Sequence, residues 1–356
     1  DVGDIISVPG ISGEVQIDTL TRGDRIDVTL RRPVQAFGGV EAVSGVGTPP
    51  LHVSRPDGVV LDLPALPGRE DDIRPMVAAF SYPSSGPISV SAGYDGASMS
   101  LRAVIEQNAR IGRLLSPLPA GVSDRMRASL QVQASFPQAE LQSVSRLSML
   151  NGGNVCAVET SAGWMIASFE VAELIAENQF LLGGWLTGIA GTDDLAALGA
   201  DAGARIVLLD SAVLPASLSD YELGQSLNWQ FSTAGSDAAI YDAQIEGRAL
   251  TPLRPGHLRA ALNPAGDLSL TWTRRARHSA DRWEQESVPL LEEQLLFRVE
   301  VSAGGSVLRR ADVNETSWVY SAAMQAEDGA SSSGLWVSVS QISARVGEGV
   351  AARLSL

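Results

Sequence analysis

The chain of 356 residues contains no lysine, so all 26 of its basic residues are arginines, set against 41 aspartates and glutamates. A net charge of −15 leaves no positive footprint for a phosphate backbone. This argues against sequence-specific nucleic-acid binding and against anionic membrane surfaces. Without a lysine, the G-x-x-x-x-G-K phosphate loop cannot be completed. A single cysteine, Cys156, rules out an intrachain disulfide, a cysteine-ligated zinc site and an iron–sulfur cluster. The only histidines, His52, His257 and His278, lie far apart with no H-x-x-x-H spacing, so no histidine-rich metal site is expected. No apolar run approaches the roughly 18 residues of a membrane-spanning helix. No G-x-S-x-G nucleophile elbow appears.

What is present is β texture. Thirty-five glycines and 18 prolines leave room for short strands and turns but not for long helices, and 45% hydrophobic residues supply a packed core. The length suggests two or three domains. Val15 and Ile17 alternate with polar neighbours, as do Ile26, Val28 and Leu30 after Arg22-Gly23, which reads as a hairpin over 1–35 that ends an upstream β-domain. A Gly/Pro-rich linker, 36–50, follows. Alternation over 88–94 and 99–103 around Asp95-Gly96 predicts a hairpin. Asn151-Gly152 predicts another, between Ser148–Leu150 and Val155–Val158. Residues 164–169 and 206–209 read as strands. Helix signals are weak: Asp193 could cap a turn through Leu198, and 171–178 is a second candidate. From residue 251 about seven short strands occupy roughly 105 residues, the spacing of an immunoglobulin-like sandwich, with Leu268, Leu270 and Trp272 on its core face. The expected fold class is therefore all-β, in three parts: 1–35, a β-rich region 36–250, and a fibronectin type III-like sandwich 251–356.

Candidate chemistry is sparse. Cys156 lies in an apolar strand and reads as a buried structural thiol rather than a nucleophile. The acidic clusters Glu70-Asp71-Asp72, Asp193-Asp194 and Glu292-Glu293 lack calcium-loop spacing and read as solvated loops. Arg274, Arg275, Arg277 and His278 lie beside Asp281, Glu284 and Glu286, which suggests a salt-bridged loop. Trp283, in a polar stretch, is the one candidate for stacking on a sugar ring. Asn314-Glu315-Thr316 matches a three-residue glycosylation pattern. Nothing forms a nucleophile–base set, so no enzymatic activity and no cofactor are expected.

Several ordered segments carry a resemblance. R-L-S-M-L-N-G-G-N-V-C-A-V (146–158) is followed by Trp164 to Phe169, the turn Gly188, Gly191, Thr192, and A-R-I-V-L-L-D (204–210). P-L-R-P-G-H-L-R-A (252–260), T-W-T-R-R-A-R through Asp281 and Trp283-Glu284, V-P-L-x-E-E (288–293) and Tyr320 to Asp328 complete the series. Together they resemble the large multidomain baseplate protein, the "megatron", of gene transfer agents and related siphophages of Alphaproteobacteria. The resemblance covers the whole chain as a C-terminal portion of that family. One departure is at Leu186-Thr187-Gly188, where the family's arginine is lost. The family's glycosidase-like barrel has no counterpart here, so its sugar-cleaving activity does not carry over. The resemblance implies a structural tail-tip hub, assembled in the bacterial cytoplasm into a virion-like particle. It also implies a homotrimer that closes the tail tube and touches other baseplate and distal tail proteins and the host surface. The alternative is a carbohydrate-binding or carbohydrate-active module that meets host envelope glycans.

Overall fold

A computed structural model describes residues 2–23, 25–32, 54–69, 72–84, 86–277, 289–330 and 334–356. The chain divides into two units, 1–51 and 52–356. His52, His278 and Trp283, the last being the sugar-stacking candidate, lie outside the described residues, as do Glu70, Asp71 and the linker 36–50.

The first unit is a three-stranded antiparallel meander of β1 (Ile5–Ser7), β2 (Glu14–Arg22) and β3 (Ile26–Arg31). A bulge between Ile17 and Thr19 keeps the apolar residues in phase, so Ile17 faces Leu30 and Leu20 faces Val28. Val15 and Ile17 are buried, while Ile26 and Val28 on the outer strand stay exposed.

The second unit is nearly all β and begins with a sandwich. Strands β4 (Asp57–Leu61), β5 (Met76–Phe80), β6 (Ile88–Gly93) and β7 (Ser100–Ile105) lead into a closed six-stranded barrel. The barrel comprises β8 (Ile111–Leu114), β9 (Arg127–Ser135), α1 (Arg146–Leu150), β10 (Val155–Thr160), β11 (Gly163–Ala176), β12 (Gln179–Ile189), α2 (Asp193–Ala196) and β13 (Arg205–Leu208). The chain then returns to the sandwich through β14 (Leu214–Pro215), β15 (Ser226–Ser232) and β16 (Ala239–Gln244). The barrel is thus an insertion between β7 and β14. The sandwich sheets run β14-β5-β4 and β16-β15-β6-β7.

Sheet β14-β5-β4 is a middle layer. Val77 and Ala79 face Val90, Trp229 and Phe231 of the other sandwich sheet. Met76 and Ala78 face Ala157, Trp164 and Ile166 on the outside of the barrel. Both faces being covered explains why M-V-A-A reads as an unbroken apolar run. The same holds for β10, where Cys156 and Val158 point into the barrel core and Ala157 points out. Inside the barrel, Trp185 packs on Phe169 at 5.5 Å and donates its indole N–H to Leu182 O. Gly184, at φ +67°, sits in a bulge that brings Phe180, Leu182 and Trp185 all into this core. Cys156 is fully buried, donates to Ala167 O at 3.4 Å, and has its ionisation pushed up by burial, as befits a structural thiol.

Two local expectations are overturned. Residues 146–150 form a helical turn, not a strand, because Ser145 caps it by accepting from Ser148 N at 3.2 Å while Met149 buries its side chain. Residues 171–178 are not helical: β11 continues to Ala176 and turns back at Asn178, whose φ of +57° suits a tight hairpin. Its pairing with β12 and the barrel wall outweighs local helix propensity.

The C-terminal portion is a fibronectin type III-like sandwich. It contains β17 (Gly256–Leu262), β18 (Leu268–Thr273), β19 (Phe297–Ala303), β20 (Ser306–Val313), β21 (Ser317–Tyr320), α3 (Ala322–Glu327), β22 (Leu335–Ser343), β23 (Gly347–Glu348) and β24 (Ala352–Ser355). Sheet β17-β18-β21 faces the five-stranded sheet β20-β19-β22-β23, with β24 also paired to β22, which makes a two-sheet sandwich. The core includes Leu270, Trp272, Phe297, Val299 and Val337.

One ion pair locks the return into the first sandwich. Glu222, in a short 3₁₀ turn (Asp220–Glu222), meets Arg102 of β7 at 2.5 Å, with both side chains buried. Burial raises the Glu222 carboxyl, but the Arg102 fork and the Ser219 N–H outweigh it and hold it below the usual range. A carboxyl depressed in the folded state stabilises above its unfolded value and loses that stabilisation as pH falls through the folded one. Glu222→Gln is therefore expected to cost about 3 kcal/mol at neutral pH by stranding Arg102. The difference from wild type should shrink once pH drops below the ordinary glutamate value of 4.5. Urea unfolding at neutral and acid pH measures this, and a gap that stays constant across that range would refute it.

Candidate functional site

The densest polar constellation lies where the barrel meets the C-terminal sandwich. β12 ends in a turn through Gly188 and Gly191, both at φ +77°. At Gly191 a Cβ would fall 2.2 Å from the Leu253 side chain, so only glycine lets the 252–255 segment dock. Thr192 fastens this turn to the barrel, accepting from Ile166 N at 3.0 Å and donating to Ile189 O at 2.8 Å. The fixed turn places Asp193 and Asp194 at the start of α2.

Neither aspartate is solvated as expected. Asp194 takes a fork from Arg248, at 2.6 and 3.1 Å, and Arg248 also donates to Gly191 O. Asp193, 8% exposed, receives Arg275 at 3.2 Å and Arg254 at 3.3 Å. Asp124 lies within the same field: burial pushes its carboxyl up, Arg275 pulls it down and Asp193 pushes it up again. Arg248 is itself oriented by Asp62, whose carboxylate accepts from the backbone N–H groups of Glu246, Gly247 and Arg248 at 2.8 to 3.0 Å. Burial raises the Asp62 carboxyl above its usual value, against those donors and the Arg248 charge.

Within the arginine cluster, Arg275 and Arg277 form ion pairs with described residues. Arg275 reaches across to Asp193 and Arg277 pairs with Glu292. Asp281, Glu284 and Glu286 lie outside the described residues. Glu292 is thus not part of a solvated acidic loop. Asp72 is paired as well, with Arg74 at 2.8 Å.

Beside the junction is a cleft of about 430 Å³ bordered by Asp62, Trp164, Arg205, Glu246 and Arg248. Its charges are already engaged: Arg205 with Glu159 at 3.0 Å and over the Trp164 ring, Arg248 with Asp194. No group of three or more metal-ligating side chains occurs among the described residues. The arrangement works as a clasp: two carboxylates, Asp193 and Asp194, and three guanidiniums, Arg248, Arg254 and Arg275, hold the barrel to the segments on either side of the first strands of the C-terminal sandwich.

Trp272 is buried as expected. Among the described residues, the tryptophan in the open is Trp336, 52% exposed on β22. Its position between the apolar residues Leu335 and Val337 carried that signal, since period two turns the middle residue outward.

A family model described as Rcc01698-like, C-terminal, matches residues 109–207, which is the inserted barrel. That name belongs to a gene-transfer-agent-related family. No curated protein matches the chain. Among solved structures, the FN1-FN3 domains of chicken CNTN1 align over 85% of this chain and 97% of that chain, at 8% identity and a TM-score of 0.21.

Proposed function

We propose that this chain is a structural component of the tail tip or baseplate of a gene-transfer-agent-like particle, acting by assembly and without catalysis. The observation that carries the reading is a coincidence of boundaries. The family match covers one closed barrel, and the segments that clasp this barrel to the C-terminal sandwich are ones that carry the sequence resemblance: Gly188 to Thr192, 252–260 and 271–277. In this reading these segments build a joint between β-domains rather than a reaction centre. A joint of that kind suits a part that transmits load and holds neighbours in register.

In this reading the chain forms a homotrimer around the tail axis and contacts other baseplate and distal tail proteins and the host surface. The first unit supports self-association. Its buried core among the described residues is small, Val15 and Ile17 alone, and the Ile26 and Val28 side chains are left exposed on its outer strand. Neighbouring copies would cover them.

Two measurements test the proposal. Cryo-electron microscopy of particles carrying a tagged chain is expected to show three copies at the tail end, and a position on the head or along the tube would defeat the assignment. Incubation of the pure chain with peptidoglycan is expected to release nothing. Hydrolysis that disappears on substitution of a single carboxylate would overturn the non-catalytic reading.

A further inference from the structure

The outer face of the sheet formed by β20, β19, β22 and β24 carries the half-exposed indole of Trp336. Leu335, Val337 and Val339 of β22 are buried in the sandwich core, while Trp336 points the other way. Its cross-strand neighbours are both serines, Ser302 on β19 and Ser355 on β24. Ser338 follows it on the same face of β22. The ring therefore stands above a floor of hydroxyls.

The next row of the sheet is charged. Ser338 lies in register with Glu300 on one side and Arg353 on the other, and Arg310 lies beyond Glu300. Arg310 neutralises Glu300 at 2.5 Å. Arg353 has no ion-pair partner among the described residues, so this row carries one uncompensated positive charge in a chain of net charge −15. Rows on one face of a strand are spaced by about 7 Å, close to the breadth of one sugar ring.

We propose that this face binds an acidic glycan, one pyranose ring stacking on Trp336 while the carboxylate of a uronic acid reaches Arg353. The chemistry of the patch selects this occupant. A flat aromatic ring accepts the apolar C–H face of a sugar. Serine hydroxyls can exchange hydrogen bonds with the sugar's own hydroxyls. The free guanidinium supplies charge complementarity to an anion. A stable protein partner would instead cover about 800 Å² on each side in a standard interface, with an apolar patch at its centre. Among the described residues, the apolar neighbour in the row of the indole is Val307.

The test titrates the full chain with tetragalacturonate and with its neutral methyl ester, following tryptophan emission and heat release. The acid is expected to bind at least about tenfold more tightly than the ester. Trp336→Ala is expected to weaken acid binding by about tenfold or more, with an unchanged thermal midpoint because the side chain is exposed. Arg353→Gln is expected to bring acid and ester within about twofold of each other. Absence of binding, equal binding of acid and ester, or binding that survives Trp336→Ala would each overturn the proposal. So would self-association abolished by Trp336→Ala without any sugar binding, which would assign the face to a protein contact. The assembly reading stands or falls separately, on the position of the chain in the particle.

Discussion

Trp272→Ala is expected to remove about 3–5 kcal/mol from the C-terminal sandwich, a large part of the roughly 5–15 kcal/mol that keeps a domain folded. The side chain is 5% exposed on β18 and meets Phe297 of the facing sheet edge-on, with ring centroids 5.4 Å apart. It thus bridges the two sheets, and its loss opens a cavity between them that Leu270 and Val299 cannot fill without distorting their own packing. Packing rather than hydrogen bonding holds it, since its indole N–H finds no acceptor among the described residues. Trp272→Phe keeps an aromatic contact with Phe297 and removes that unmet donor, so it is expected to cost about half as much as the alanine variant. Thermal unfolding of the full chain, followed by near-ultraviolet circular dichroism, reports both. An alanine variant with an unchanged midpoint would show that the core is not built around this residue.

The all-β class was legible because strand alternation is a local property. Leu268, Leu270 and Trp272 repeat every second residue, and all three are core residues. The Asp95-Gly96 turn was legible for the same reason: the Asp95 carboxylate accepts from Ala97 N and Ser98 N, an interaction that closes within three residues. Closure of the barrel was not legible. It depends on β13 pairing with both β8 and β10, for example Ile206 with Gly112 and Val207 with Ala157, residues far apart in the sequence. Helix α3 went unread because six residues show no period; Ser321 and the Asp267 carboxylate hold its first turn from outside. Asp193 and Asp194 looked like an acidic surface loop since their partners lie 54 to 82 residues further on, in segments that read as separate clusters. Charge spacing along a chain cannot reveal pairing of that range. The family motifs hinted at it, as they named both halves of the clasp without showing that the halves meet.

Asp193→Ala is expected to uncouple the barrel from the C-terminal sandwich. The aspartate is nearly buried and serves both Arg254 and Arg275, so its removal leaves two guanidiniums facing each other with no anion between them. Breaking a fully buried pair costs about 3–5 kcal/mol. Both arginine side chains here keep a third or more of their surface in water, at 40% and 34%, which lowers the expectation to about 2 kcal/mol. Asp194 cannot substitute, because Arg248 already occupies its two oxygens. The loss falls on the joint and not on either core: barrel and sandwich each bury their own hydrophobic cluster. The expected signature is therefore a change in cooperativity. In the wild type the barrel and the sandwich should melt as one calorimetric transition; in Asp193→Ala the transition should broaden or split, with faster proteolysis in the 251–256 segment. Asp193→Asn keeps the size and a hydrogen-bond acceptor but removes the charge, and should fall between the two. If Asp193→Ala melts as the wild type does and resists protease equally, the clasp is an incidental contact, and the joint is held by Leu253 against Gly191 instead.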